Sequence, residues 1–295
     1  MTTPKTNRLR AATLALAALA ASALASTASA QVTSPPQRSL VPVAGDLYRF
    51  QNNFHTAAVY VTSAGIVVVG PINADGSKWL KQELATRFPG RVVKYLVYSH
   101  DHADHISGGE VFADTAVVVA HENARERIIG EKRATAVPQL TFSESMTLEL
   151  GGKLIQLRHV GRNHSDNSLV AHFPAERAIF AVDFIPVKGF PFRDLPDSYF
   201  PDWIDSLRAV EAMDFDILIP GHGPNGGKAD VRTMREYMTQ LHGEVLMHVR
   251  AGKTRDEVKS LVKMEKYKDW PGYEQTVPLN VEGMYGYVAT NRRPN

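Results

Sequence analysis

The chain has 295 residues, of which 44% are hydrophobic and 22% are charged, and its formal net charge is +2. This composition excludes disordered and fibrous proteins and fits one large globular domain or two small ones. Lysine and arginine form no run or stripe, which argues against a nucleic-acid partner, because binding to a phosphate backbone requires clustered positive charge. Cysteine is absent, so disulfides are excluded and any metal site must use histidine and carboxylate ligands.

The first thirty residues have the three parts of a secretory signal. Lys5, Arg8 and Arg10 form a basic start, an apolar run extends over residues 11–25, and Ala-Ser-Ala ends at Ala30. The apolar run is shorter than the roughly 20 residues that a membrane-spanning helix requires, so a retained anchor is the less favoured alternative. We predict cleavage after Ala30, export to the periplasm or the exterior, and no stable membrane insertion of the mature chain. Because the signal holds three of the 33 basic residues and none of the 31 acidic ones, cleavage leaves a net charge of −1.

Residues 31–44 are rich in proline, serine and other polar residues, which predicts a flexible lead-in. We assign residues 45–295 to one domain with a C-terminal helical extension. The first half of this domain has short apolar runs typical of strands and one segment with apolar residues at helical spacing. The predicted strands cover residues 47–50, 57–63, 65–70 and 92–99, and the predicted helix covers residues 77–88.

The second half repeats this pattern of strands followed by helix. The predicted strands cover residues 115–121, 145–150, 153–160, 168–174, 177–183 and 216–220, and the predicted helices cover residues 122–130 and 204–214. Two further helices are expected between residues 230 and 263. Two packed sheets with helices outside them are the simplest architecture for this order of elements, which predicts an α/β fold.

Three histidines and two aspartates occupy five of the six positions from His100 to His105, directly after the apolar strand at 92–99. In an extended segment alternate side chains share a face, so His100 and His102 are predicted to point the same way. Asp104 and His105 follow after the chain turns, where they reach a second position nearby. Imidazole and carboxylate are ligands of zinc and related metals in catalytic sites, so the cluster predicts a metal site rather than a solvated polar loop.

The segment HDHADH resembles the His-x-His-x-Asp-His signature of the metallo-β-lactamase superfamily of hydrolases. The remaining family positions are filled in order, by His164 in GRNHSDNS, Asp183 in AIFAVDF and His222 in ILIPGHGP. The resemblance extends from Asp46 to about Lys263. It implies the αββα sandwich of that family, in which two mixed β-sheets are flanked by helices.

The resemblance also implies two metal ions with separate ligand sets. The implied ligands are His100, His102 and His164 for the first ion, Asp104, His105 and His222 for the second, and Asp183 as the bridge. We expect two zinc ions per chain, with iron or manganese as alternatives. A bridging aspartate is similar to the glyoxalase II, lactonase and alkylsulfatase branches of the family, rather than to the lactamases that carry cysteine there.

The chemistry implied by the family is hydrolysis, in which a metal-bound hydroxide attacks an ester, thioester or lactone. Asp104 is expected to orient that hydroxide and to pass a proton to the leaving group, and a small molecule is the expected partner. Hydrolysis of β-lactams is the main alternative, which the export signal fits and Asp183 disfavours. Two further alternatives, a di-iron redox protein and a protein with a purely structural metal site, are less favoured. A di-iron redox protein commonly carries a flavin-binding domain, for which we find no sequence, and a purely structural site usually places four ligands around one ion.

Four residues are candidates for substrate binding, and one family position is altered. The candidates are His55, Arg162, Asn163 and Tyr199. The segment 184–203, rich in proline and aromatic residues, is either a substrate wall or part of the core. Gly70 stands where the family often has an aspartate that supports the metal loop, so metal retention is the property that this change puts in doubt. The oligomeric state stays open.

Overall fold

The chain is described by a computed structural model over residues 35–291. The predicted signal and the predicted cleavage site after Ala30 lie outside the described residues. Between residues 35 and 291, twelve strands form two β-sheets that pack face to face, and helices cover both outer faces. The predicted sandwich of two mixed sheets flanked by helices is therefore confirmed.

The first sheet has seven strands that follow one another in chain order. They are β1 (Arg38–Ala44), β2 (Leu47–Asn52), β3 (His55–Thr62), β4 (Gly65–Val69), β5 (Val93–Val97), β6 (Val117–His121) and β7 (Leu140–Phe142). Strands β1 to β4 form an antiparallel meander, and β4 to β7 run parallel. The parallel strands consist mainly of valine and leucine, as expected for strands that are buried on both faces.

The second sheet has five strands in the order β12-β11-β10-β9-β8. They are β8 (Ser145–Leu150), β9 (Lys153–His159), β10 (Leu169–Phe173), β11 (Ala178–Ala181) and β12 (Ile217–Pro220). Neighbours are antiparallel except β11 and β12, which run parallel with Ala181 opposite Pro220. Parallel strands present their carboxyl ends at the same edge, so the residues that follow β11 and β12 emerge side by side.

Seven helices accompany the sheets among the described residues. They are α1 (Ala74–Arg87), α2 (Ala103–Ile106), α3 (Glu122–Gly130), α4 (Asp202–Glu211), α5 (Lys228–Arg250), α6 (Arg255–Leu261) and α7 (Tyr273–Asn291). One buried cluster fills the space between the sheets, a second lies between the first sheet, α1 and α3, and a third joins the second sheet to α4, α5, α6 and α7. No helix within residues 35–291 is long and apolar enough to cross a bilayer.

Three parts of the chain differ from the sequence prediction: residues 31–44, the unpredicted three-residue strand β7 and the final helix α7. Residues 31–44 were predicted to be flexible, which is wrong from Arg38 onward, because β1 pairs along its length with β2 and buries Leu40. Pro42 fits this strand because β1 lies at the edge of the sheet, where a missing backbone donor is tolerated. The final helix α7 was not predicted as a separate element, because Pro278 and two glycines interrupt its helical pattern.

Candidate metal centre

The predicted ligands lie where strands of both sheets end. His100 follows the last residue of β5 by three positions. Asp183 and His222 each follow by two positions the paired residues Ala181 and Pro220. Because β11 and β12 are parallel neighbours, this register brings the two side chains together, and the bridge between His55 and His222 joins the edges of both sheets above them.

The first group of donor atoms comes from three histidines and one aspartate, whose ligand atoms all lie within 4.8 Å of one another. Nε2 of His164 is 3.0 Å from Nδ1 of His102. Oδ2 of Asp183 is 3.4 Å from Nε2 of His100 and 3.7 Å from Nε2 of His164. Four nitrogen and oxygen donors converging on one point match a binding site for a divalent ion.

The second group contains Asp104, His105, His222 and again Asp183. Nε2 of His105 lies 3.1 Å from Oδ2 of Asp183 and 3.4 Å from Oδ2 of Asp104. Nε2 of His222 lies 3.2 Å from Oδ1 of Asp183 and 3.2 Å from Nε2 of His105. Asp183 therefore offers one oxygen to both groups, and the structure brings all seven predicted ligands into two adjoining sets.

Unpaired polar atoms in the centre fit bound metal. Nε2 of His100 and Oδ1 of Asp183 are buried and make no hydrogen bond within the described residues. A buried polar atom without a partner is costly, so native structures rarely leave one unsatisfied. Imidazole nitrogen and carboxylate oxygen suit zinc, iron and manganese, so the donor set fits a metal centre without choosing among these ions.

Burial and nearby carboxylates shift the pKa values of the histidines in the two groups in opposite directions. Desolvation lowers the pKa of His100 to about 4 and that of His164 to about 3, which keeps both rings neutral. Burial also acts to lower the pKa of His105 and His222, but the carboxylates of Asp183 and Asp104 outweigh it and raise these pKa values to about 9 and 10. Burial alone would raise the pKa of Asp183, yet the surrounding histidines hold it well below its usual range. The centre thus keeps both carboxylates ionised, as metal ligation requires.

A second layer of hydrogen bonds holds the first ligand loop in place. Asp101 is 3% exposed, and its carboxylate accepts a hydrogen bond from Asn167 at 2.8 Å and pairs with Arg133 at 3.0 Å. Its backbone N–H donates to Oδ1 of Asn167 at 2.9 Å. The sequence prediction missed Asp101, although its place between two histidines after a buried strand was a usable signal. These bonds tie the His100 loop to the loop that carries His164.

The altered family position contributes no polar side chain. Gly70 has a φ of +84°, and a Cβ there would meet no atom closer than 3.9 Å. Its backbone N–H donates to the carbonyl of Val97 at 2.9 Å. Nδ1 of His105 is buried and has no hydrogen-bond partner in the described part of the chain. The space at this position thus admits a side chain, but only in a left-handed backbone conformation that most residues avoid.

A cavity of about 640 Å³ opens on the metal centre. Part of its lining consists of the ligands and their neighbours His55, His102, Asp104, His164, Asp183, Pro220, Gly221 and His222. The rest of the lining is an apolar wall that includes one acid, formed by Ile185, Pro186, Phe190, Phe192, Pro196 and Asp197. The segment 184–203 therefore contributes both to the lining of the cavity and to the core, where Phe200 and Trp203 are buried.

The four substrate-binding candidates occupy different environments. His55 lines the cavity, with its Nε2 3.3 Å from Oδ2 of Asp104. Arg162, Asn163 and Tyr199 are not among the lining residues. The Arg162 guanidinium pairs with Asp202 at 2.6 Å and stacks on the Tyr199 ring, 4.9 Å from its centre. The buried Asn163 side chain accepts a hydrogen bond from the backbone N–H of His164 at 2.7 Å, which orients a ligand instead of a substrate.

Histidines outside the centre have structural partners. His121 caps α3 by accepting a hydrogen bond from the backbone N–H of Asn123, and it also contacts the Ser143 carbonyl at 2.8 Å. His172 lies in β10 and contacts the Asp214 carbonyl at 2.9 Å. His121 therefore serves as a helix cap, and His172 links its strand to the loop that carries Asp214.

Comparison with known proteins places the chain in a family. The model of the metallo-beta-lactamase superfamily matches residues 67–222. The α subunit of a 2,4-dinitroanisole O-demethylase from Nocardioides sp. is 27% identical over 191 residues, which cover 63% of this chain and 58% of that protein. A type 2 metallo-beta-lactamase from Bacteroides fragilis is 22% identical over 192 residues, 61% of this chain and 76% of the relative.

A solved structure shares the fold. A metallo-beta-lactamase from Pontibacter korlensis superposes with a TM-score of 0.62 at 17% identity, covering 69% of this chain and 99% of that one. This likeness extends to the architecture alone, whereas the family model spans the segment from β4 to the last predicted ligand. The chain therefore belongs to the metallo-beta-lactamase superfamily, most of whose members are hydrolases.

Proposed function

We propose that the chain is an exported hydrolase with two metal ions, zinc in its working form, that cleaves esters, thioesters or lactones of small molecules. The observation that carries the proposal is the position of Asp183, whose Oδ2 faces donor atoms of both ligand groups. A carboxylate shared in this way is typical of two-ion hydrolytic sites. The cavity that opens on both groups supplies room for a substrate.

When bound, two such ions lower the pKa of a shared water and polarise the group under attack. The protein's own residues hold the reacting groups. Asp104 faces the cavity, and nearby histidines outweigh the effect of its burial and lower its pKa, so it stays ionised and accepts hydrogen bonds. Nε2 of His55 lies 3.3 Å from the same carboxylate. We assign to these two side chains the orientation of the attacking water and the exchange of a proton with the leaving group.

The names of two relatives point to different substrates and leave the substrate of this chain to be tested. The first relative takes its name from 2,4-dinitroanisole, an aryl ether, and the second from β-lactams. This chain spans 58% of the length of the first, so neither activity transfers directly. We favour esters, thioesters and lactones over β-lactams because Asp183 occupies the bridging position and the chain has no cysteine.

Metal content comes first among the tests. The chain is expressed with its own first thirty residues, and the N-terminus of the exported product is read by mass spectrometry. Plasma mass spectrometry then gives the metal content, with two zinc per chain expected. The metal-loaded protein is assayed against aryl esters, lactones, thioesters and a chromogenic cephalosporin. An N-terminus other than Gln31 would contradict the predicted cleavage, two iron would favour redox chemistry, and cleavage of the cephalosporin alone would favour a β-lactamase.

A further inference from the structure

We propose that the cavity selects substrates whose non-reacting part is uncharged and apolar, and that it disfavours substrates with a carboxylate or sulfate in that part. This inference rests on the proposed function, since it assigns a substrate class to the same site. It follows from the apolar wall of the cavity, whose residues differ in chemistry from the metal ligands.

The wall presents apolar surface to the substrate. Ile185 is fully buried, Phe190 is half-buried, and Phe192 is 61% exposed at the mouth of the cavity. Pro186 and Pro196 complete the surface without adding a side-chain donor. Aromatic and aliphatic groups of a ligand gain free energy by leaving water for such a surface. A carboxylate placed against it would lose its hydration and find no hydrogen bond in return.

Charge on the wall has only one sign. Among the described residues that line the cavity, none is a lysine or arginine. The charged residue of the wall is Asp197. Its Oδ2 lies 4.0 Å from Nε2 of His102, and its side chain is 74% exposed. Positive charge in this cavity is therefore confined to the metal centre, where the reacting group binds. An anionic group elsewhere on the substrate would meet Asp197 among the lining residues, whereas the Arg193 guanidinium, 5.7 Å from the centre of the Phe192 ring, is not part of the lining.

The wall is held in this form by the C-terminal helix. Asn280 on α7 is fully buried, and its amide donates to the carbonyls of Pro191, at 3.0 Å, and Arg193. Its carbonyl accepts a hydrogen bond from Tyr237 at 2.7 Å. Asp197 itself has a φ of +59°, a conformation that persists only when the surroundings fix it. A preformed wall discriminates between ligands more sharply than one that adapts to each.

The test uses two matched pairs of ligands on the metal-loaded protein. The first pair, 4-acetamidobenzamide and 4-acetamidobenzoate, differs only in the charge of one group, and its binding is measured by titration calorimetry. The second pair, 4-acetoxybenzamide and 4-acetoxybenzoate, carries the same groups on a cleavable ester, and kcat/KM is normalised to alkaline hydrolysis. Both are measured for the unmodified chain, for Asp197→Asn, for Phe192→Ala and for the control Asp194→Asn, which changes an exposed acid outside the lining.

We expect the uncharged ligand to bind about tenfold more tightly than the carboxylate at low salt. Asp197→Asn should reduce this preference about threefold, and Asp194→Asn should leave it unchanged. Phe192→Ala should weaken both ligands equally. Equal or tighter binding of the carboxylate, or no binding of the amide, would overturn the inference. If the binding preference appears but neither ester is hydrolysed, the selectivity stands and the proposed function fails.

Discussion

The metal centre and the apolar wall of the cavity are built in different ways. The centre uses residues that directly follow strands, and its loops are joined by buried hydrogen bonds such as those between Asp101 and Asn167. The wall is an irregular segment, with Lys188, Arg193, Leu195 and Asp197 at positive φ. It is fastened by Asn280, 87 to 89 residues further along the chain. The ligand positions thus come from the sandwich shared by the family, and the wall depends on a helix beyond the matched segment.

This difference predicts that the two regions respond to separate substitutions. The family model ends at residue 222, so α5, α6 and α7 lie outside it. Changes in strand-end residues should alter metal content, whereas changes in α7 should alter substrate affinity and leave the metals in place. Three substitutions test this separation, from the largest expected effect to the smallest, and a fourth with a still smaller effect tests the dependence of stability on pH.

His105→Ala should produce the largest loss. The ring of His105 lies between both carboxylates of the second group, so its removal should lower the metal content from two ions to one. We expect hydrolytic activity to fall by at least about a hundredfold. Plasma mass spectrometry and initial rates provide the readouts, and His248→Ala on α5 is the control. Full activity with a single ion would rule out a two-metal mechanism.

Gly221→Ala should disturb the metals through a steric effect alone. A Cβ at Gly221 would overlap Oδ1 of Asp183 and lie 2.6 Å from Val182. Because the neighbours are a ligand and a buried strand end, we expect metal affinity to fall by about 10- to 100-fold. Gly223→Ala is the matched control, since a Cβ there meets nothing within 4 Å.

The control should lose only about 1 kcal/mol of stability, because Gly223 has a φ of +82° that disfavours alanine. Competition with a chelator measures the affinity of both variants. Equal affinities would mean that the loop moves freely and that the close approach at Gly221 does not define the centre.

Asn280→Ala should weaken the wall and spare the metals. The substitution leaves the Tyr237 hydroxyl and two carbonyls without their partner, which should lower the free energy of unfolding by about 2–4 kcal/mol. We expect KM to rise severalfold while two ions remain bound. Urea unfolding, KM and metal content are measured in parallel, with Thr290→Ala on the exposed face of α7 as the control. A loss of metal in Asn280→Ala would contradict the separation of the two regions.

The smallest effect concerns the dependence of stability on pH. Burial, with a contribution from nearby His159, lowers the pKa of His121, whose Nδ1 accepts the capping hydrogen bond of α3. A lowered pKa means that the unfolded chain binds more protons below pH about 6.5, so stability is complete above that pH and falls as the pH decreases through it. His121→Asn keeps a capping oxygen without this titration, and should flatten the decline in Tm between pH 7.5 and 5.5. An unchanged pH profile would show that His121 does not contribute to it.

The sequence predicted the centre better than the wall for a physical reason. Each ligand follows an apolar strand in a short local pattern, so His100 and His222 are recognisable without knowledge of the fold. The contacts of Asn280 and the position of Asp197 depend on packing between distant segments, which no local pattern records. The edge strand β1 was missed because Pro42 and its polar neighbours resemble a linker, and β7 has only three residues.

Asp183 marks the boundary between the two regions, with a φ of +45° at the point where β11 ends. The next residue, Phe184, is anchored by its carbonyl, which accepts a hydrogen bond from the indole of Trp203 at 3.0 Å. Phe184 and Trp203, joined by this hydrogen bond, therefore mark the two ends of the irregular segment. Exchanging residues 185–202 between relatives, with both anchors retained, would transfer substrate preference while the seven ligands keep their positions, which makes this segment the natural unit for redesign.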